Sequence, residues 1–206
     1  MSAATASSRA HRLSVSGKVR AVLALGTVLG LGTVATLAAF TDTVTATGSF
    51  STGTLDLKLN DQDVTTALTG LTMAAAKPGD QTYALLTVRN AGNLPFNYAY
   101  TTTSTTGTDP QILAAALNYG VASLGTSAFG VGTPPTCSSA TFTGATTVVT
   151  PATTKLSAGP ATAAPRALPA GQVEYLCVRA EVPSTADNTV QGKSVTATMT
   201  VTATQQ

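Results

Sequence analysis

The sequence predicts an all-β protein: an antiparallel β-sandwich with one short helix, preceded by an apolar N-terminal signal helix. Three observations carry that prediction. Apolar and polar residues alternate with period two over Thr54–Asn60 and Ser194–Thr204, the mark of a half-buried strand. Turn-forming clusters punctuate the chain at strand-length intervals, among them Lys77-Pro78-Gly79-Asp80, Asn90-Ala91-Gly92-Asn93 and Asp187-Asn188. Charged residues make up only 10% of the chain while threonine abounds. Threonine is β-branched and coats a sheet surface without charge.

The N-terminus is a separate unit. Arg9, His11, Arg12, Lys18 and Arg20 form a positive region within residues 1–20, and an apolar core covers residues 19–39. A basic flank, an apolar stretch and small residues before a polar segment are the pattern of a secretory signal. The core is close to the ~20 residues that span a bilayer, so a retained anchor is the alternative to cleavage. A cut after Ala38 puts Thr36 and Ala38 at the small positions; a cut after Ala39 leaves Leu37 three residues back. Residues 40–206 then form one secreted domain, long enough for a core of its own. Seven Lys and Arg face nine acids there, for a net charge of −2. The basic character of the whole chain belongs to the signal. That balance argues against a nucleic-acid partner, which would call for clustered Lys and Arg. Contact with a membrane is expected only through the N-terminal segment.

Along that domain the elements follow in order. In Thr54–Asn60, Leu55, Leu57 and Leu59 share one face. Gln81–Asn90 carries apolar residues on both faces and is expected to be central. Phe96–Thr103 follows, with Phe96, Tyr98 and Tyr100 on one side. Asp109 as cap and Pro110 at the first turn open the predicted helix, which Gly120 ends. Residues 125–170 have little periodicity; Thr141–Thr143 and Thr146–Thr150 read as short strands, and Ser157–Ala170, with three prolines, as an exposed loop. Gln172–Val182 is a second central strand. Ser194–Thr204 is the cleanest, with Val195, Ala197, Met199, Val201 and Ala203 inward and Thr outward.

Candidate chemistry is sparse. Cys137 and Cys177 are an even pair in an exported chain and read as one disulfide. The single histidine is His11, inside the signal, so neither a zinc protease motif nor a serine triad can be built in the secreted domain. Glu174 and Glu181 lie seven residues apart on one predicted strand and face opposite ways. Asp56, Asn60, Asp61 and Asp63 offer oxygen ligands for Ca²⁺ but lack a complete ligand ladder; a solvated turn is the favoured reading. Tyr98, Tyr100 and Tyr119 suit either a glycan platform or, the favoured reading, inward packing. No catalytic, metal or cofactor residue is expected.

The stretch AAFTDTVTATGSFSTGTLDLKLN, from Ala38 to Asn60, resembles the start of proteins exported with a SipW-type signal peptide, the TasA and camelysin group. The shared features are Phe40-Thr41-Asp42 after the apolar run, a Thr/Ser-rich spacer, Phe50, and Gly53-Thr54-Leu55-Asp56-Leu57. More loosely, the remainder is similar to actinobacterial alternate signal-mediated exported proteins. The resemblance implies cleavage just before Phe40, a dedicated signal peptidase as export partner, and a jelly-roll fold; the residue pattern alone leaves an immunoglobulin-like sandwich open. It further implies assembly by strand exchange from the N-terminus, with Phe40, Asp42, Val44 and Phe50 in the donor segment. The function expected is a secreted or cell-surface structural protein, non-enzymatic, that associates with itself or with other surface proteins, in fibres or extracellular matrix. A monomeric adhesin or carbohydrate-binding module acting through loops 104–135 is the alternative. A camelysin-like metalloprotease is a third reading, disfavoured by the missing histidine.

Overall fold

A computed structural model describes residues 52–63 and 69–206. Chain contacts divide the protein into residues 1–50 and Ser51–Gln206, and every described element belongs to the second unit. Among the described residues, eight strands form two antiparallel sheets. The strands are β1 (Leu57–Leu59), β2 (Gln81–Asn90), β3 (Phe96–Thr106), β4 (Asn118–Ala128), β5 (Thr147–Lys155), β6 (Arg166–Leu168), β7 (Gln172–Glu181) and β8 (Thr196–Gln205). The larger sheet runs β1-β2-β7-β4-β5, the smaller β6-β3-β8. Helix α1 (Pro110–Ala116) joins β3 to β4, and α2 (Ser139–Thr143) lies between β4 and β5.

Strand pairing follows a simple rule. β2 pairs with β7, β3 with β6 and β4 with β5, all antiparallel. This is the pattern of one long hairpin rolled into two layers, as in nested Greek keys and jelly rolls. The next pair of that series is β1 with β8, and the described residues do not form it. β1 instead pairs with the outer side of β2.

The core lies between the sheets. Phe96, Tyr98 and Tyr100 of β3 meet Leu86 and Val88 of β2, Val121 of β4, and Leu176 and Val178 of β7. β7 is buried on both faces because the β4–β5 connection folds back over the larger sheet. Cys137 in that connection is bonded to Cys177 on the outward side of β7, with Cα atoms 5.2 Å apart. Phe142 of α2 packs 6.0 Å from the Tyr83 ring and 5.8 Å from the Arg179 guanidinium. At the β2–β3 corner, Asn90 donates from its side chain to the carbonyls of Leu94 and Leu168 and accepts from the Gly92 N–H. A Cβ on Gly92 would stand 2.3 Å from the Thr54 carbonyl oxygen, so the first segment can cross there only over glycine.

Several expectations need correction. The first strand is three residues rather than seven: Asn60 and Asp61 take positive φ and turn the chain at its end, and at its start the Asp56 and Thr54 carbonyls accept from the Ala91 and Asn93 N–H groups, beyond the end of β2. Leu55, expected inward, is 43% exposed. The Asn90–Asn93 reversal is a corner between sheets, as β2 and β3 do not pair. α1 stops at Ala116, and Gly120 lies inside β4. Asp109 makes no cap hydrogen bond; its carboxylate is 2.5 Å from Lys193 Nζ. Thr141–Thr143 is helical, because Ser138 and Thr141 form a reciprocal cap. The expected loop Ser157–Ala170 contains β6, with Leu168 fully buried.

Candidate functional site

An exposed strand edge offers a row of unpaired N–H and C=O groups, and folded proteins usually blunt it with brevity, charge, proline or a bulge. Among the described residues the two sheets have four edges, and three are blunted. β1 is three residues long and carries Lys58, held 2.5 Å from Asp63. β6 is also three residues, carries Arg166 and is flanked by Pro165 and Pro169. β5 contains Pro151 and ends in Lys155, and its register with β4 shifts on either side of Val121.

β8 is the least guarded, its one irregularity being a register shift in its ladder with β3 between Thr103 and Thr106. Its ten residues, TATMTVTATQ, include no charge, proline or glycine. It pairs in unbroken register with β3 from Thr198 opposite Thr103 to Gln205 opposite Phe96. Its other side has no strand partner among the described residues. Met199, Val201 and Ala203 point into the core yet remain only partly buried, because nothing described covers them from beyond the edge. The strand with the cleanest alternation in the sequence thus lies at an edge among the described strands. That side, unpaired among the described residues, is where the rolled hairpin would place the partner of β8.

A second feature was missed as a unit. Glu174 of β7 is 1% exposed and faces the core. Both carboxylate oxygens accept from Arg166 Nε, at 3.0 and 3.1 Å, and Arg166 Nη2 donates to Oε1. Tyr98 Oη donates to Oε2 at 2.6 Å and Ser123 Oγ to Oε1 at 2.5 Å. The Glu174 hydrogen bond holds the Arg166 guanidinium pKa above its ordinary value. Burial, with the Glu174 charge second, pushes the Tyr98 phenol well above its usual range. Four strands from both sheets converge here, so the carboxylate pins the short β6 to the sandwich. A cavity of about 350 Å³ opens beside it, lined mainly by residues 163–167 with Val148, Val149 and Thr126. The signal was present in the sequence: Glu174 shares strand parity with Leu176 and Val178, so it had to be an inward charge in need of partners.

The other candidate residues are placed as follows. Tyr98, Tyr100 and Tyr119 are buried, which is the packing reading and leaves no surface platform. Asp61 pairs with Arg89 at 3.0 Å, Asp63 with Lys58, and Asn60 Oδ1 accepts from the Thr87 N–H at 2.9 Å. These contacts build the turn at the end of β1. Glu181 is paired with Arg179 at 2.6 Å. Among the described residues no three His, Cys, Asp or Glu side chains cluster in a way that could hold a metal, and no helix is long and apolar enough to cross a membrane. The cleavage residues Ala38, Ala39 and Phe40, and the donor residues Asp42, Val44 and Phe50, lie outside the described residues.

A family model described as camelysin metallo-endopeptidase matches residues 11–127, more than half of the chain. No curated protein matches it.

Proposed function

The chain belongs to the camelysin metallo-endopeptidase family, and on that premise we propose that it is a secreted or cell-surface structural protein that associates through the open side of β8. The observation that carries this reading is the unguarded ten-residue edge with a half-covered apolar inner face. A strand added there gains backbone hydrogen bonds along its length and pockets for alternate side chains. The segment Phe40–Phe50, released by signal cleavage, is the proposed donor to another copy. It is nearly uncharged, and Phe50 is its one large anchor besides the terminal Phe40. Export by a signal peptidase, a mature N-terminus at Ala39 or Phe40 and an extracellular site belong to the same proposal. Neither a nucleic acid nor a cofactor enters it.

The family name implies a metal and peptide-bond hydrolysis. The donor set described above does not fit a metal site. The Glu174 oxygens are filled by Arg166, Tyr98 and Ser123, the Cys137 and Cys177 sulfurs are bonded to each other, and Asp61, Asp63 and Glu181 are each paired with a base. These occupied groups support no hydrolytic step, and they favour the non-enzymatic reading. The adhesin reading would use residues 104–135, within which Phe129 is 44% and Val131 63% exposed.

The test compares the exported protein with a variant lacking Phe40–Phe50, by light scattering and electron microscopy. Growth of assemblies by the intact form alone supports the donor role. A protein that stays monomeric at high concentration ends the structural reading, and glycan binding by that monomer would install the adhesin. Peptide hydrolysis abolished by a chelator would restore the protease.

A further inference from the structure

The sequence of β8 reads nearly the same in both directions about Thr200. Thr196-Ala197-Thr198-Met199 on one side answers Val201-Thr202-Ala203-Thr204 on the other. In an antiparallel pair, directly opposed residues share a face of the sheet. We propose that β8 pairs with the β8 of a second copy of this chain, antiparallel about a twofold axis at Thr200. This rests on the self-association reading above and names a second occupant of the same edge.

In that register Thr198 lies opposite Thr202, Ala197 opposite Ala203, and Met199 opposite Val201. Every apolar residue meets an apolar one on one face, which is partly buried at Met199, Val201 and Ala203 but exposed at Ala197, expected inward, and every Thr meets a Thr on the other. A shift by one residue would set Met199 and Val201 against threonines and lose both matches, so the pleat excludes odd shifts; among the even ones, the register centred on Thr200 pairs the two near-palindromic halves over nine of the ten residues. Thr–Thr and apolar pairs directly opposite are favourable cross-strand neighbours. Charge also favours self-pairing. The strand has no ionisable side chain, so two copies meet without repulsion, and a charged partner strand would find no counter-charge. Met199, Val201 and Ala203 are only partly buried, so the facing layer leaves room on the core side for the second strand.

The contact is isologous and therefore closes at two copies. Strand donation from residues 40–50 is heterologous and can grow. The two uses of one edge exclude each other, so the β8 dimer is the form that does not elongate. One strand pair is smaller than the roughly 1,600 Å² of a standard interface, and the dimer is accordingly reversible and concentration-dependent.

Register-specific cross-linking tests this on the exported protein, whose own cysteines are bonded to each other. A Thr200→Cys variant should give an intermolecular disulfide, because opposed Cα atoms stand about 4.5–5.5 Å apart, within disulfide reach. Thr198→Cys alone should not, since its own copies sit four residues out of register, about 14 Å away. Thr202→Cys alone should fail likewise, while a mixture of the two should cross-link. Thr200→Lys, on the exposed outer face, should abolish the dimer in sedimentation yet leave the fold intact by circular dichroism. Deleting Phe40–Phe50 should leave the dimer unchanged. Cross-linking at all positions alike, or a dimer lost with that deletion, overturns β8 self-pairing. If cross-links fail while the intact protein still grows assemblies, only this inference falls; if neither dimer nor assembly forms, the self-association reading falls with it.

Discussion

Replacing Arg166 by methionine should destabilise the domain far more than removing its partner. Arg166→Met keeps the side-chain length and apolar stem but strands the Glu174 carboxylate at 1% exposure. Three donated contacts vanish, and only Tyr98 and Ser123 still hold the charge. Breaking a buried ion pair from one side costs about 3–5 kcal/mol. The Arg166 side chain is 24% exposed, so water can approach it and the lower end, about 3 kcal/mol, is expected. For a domain of this size each kcal/mol moves the melting temperature by roughly 2–4 °C, which gives a fall of about 6–12 °C. Glu174→Gln should cost less, because the arginine left behind can turn its head toward solvent. The double variant Arg166→Met with Glu174→Gln should recover part of the loss, as the stranded charge is gone. Urea unfolding of all four proteins closes the double-mutant cycle. If Arg166→Met lies within about 0.5 kcal/mol of the parent, the usual range of surface changes, or if Glu174→Gln is the more damaging of the two, then the cluster does not pin β6 in the way described.

Two further perturbations follow from the same structure. Cys177→Ser opens a link with a sequence separation of 40 and should cost roughly 3–4 kcal/mol in the chain-entropy model; denaturant titration measures the loss, and non-reducing mass mapping of the parent should find Cys137 joined to Cys177, with two freely alkylated thiols as the contrary result. Alkaline unfolding is the second. Burial raises the phenols of Tyr98 and Tyr119 far up and that of Tyr100 to about 12. Their stabilisation is complete below the unfolded tyrosine pKa of about 10 and is lost as pH climbs from there toward the folded values, each phenol contributing a slope of about 1.4 kcal/mol per pH unit. Tyrosinate absorbance from these three should rise together with loss of circular dichroism; ionisation in a still-folded protein would contradict their burial.

Much of the fold was written locally. The boundaries of β2 and β7, the two faces of β7, the inward tyrosines and the Thr/apolar alternation of β8 follow from strand periodicity, which needs no knowledge of neighbours. The pairing of Cys137 with Cys177 needed only parity and an oxidising setting. The middle of the chain was less legible for physical reasons. β4 hides behind a helical composition at Ala114–Leu117 and a glycine at position 120, which sheet pairing on both sides overrides. β6 is a strand only because β3 and the Arg166–Glu174 lock hold it. α2 depends on a two-residue cap and on Phe142 packing over Tyr83. By itself, then, the sequence determined which segments alternate and which charges are scarce. The tertiary structure alone decided that β1 joins β2, that β8 is left at an edge among the described strands, and that Glu174, Arg166, Tyr98 and Ser123 meet. Those outcomes depend on pairings between residues far apart in the chain, and local pattern cannot encode them.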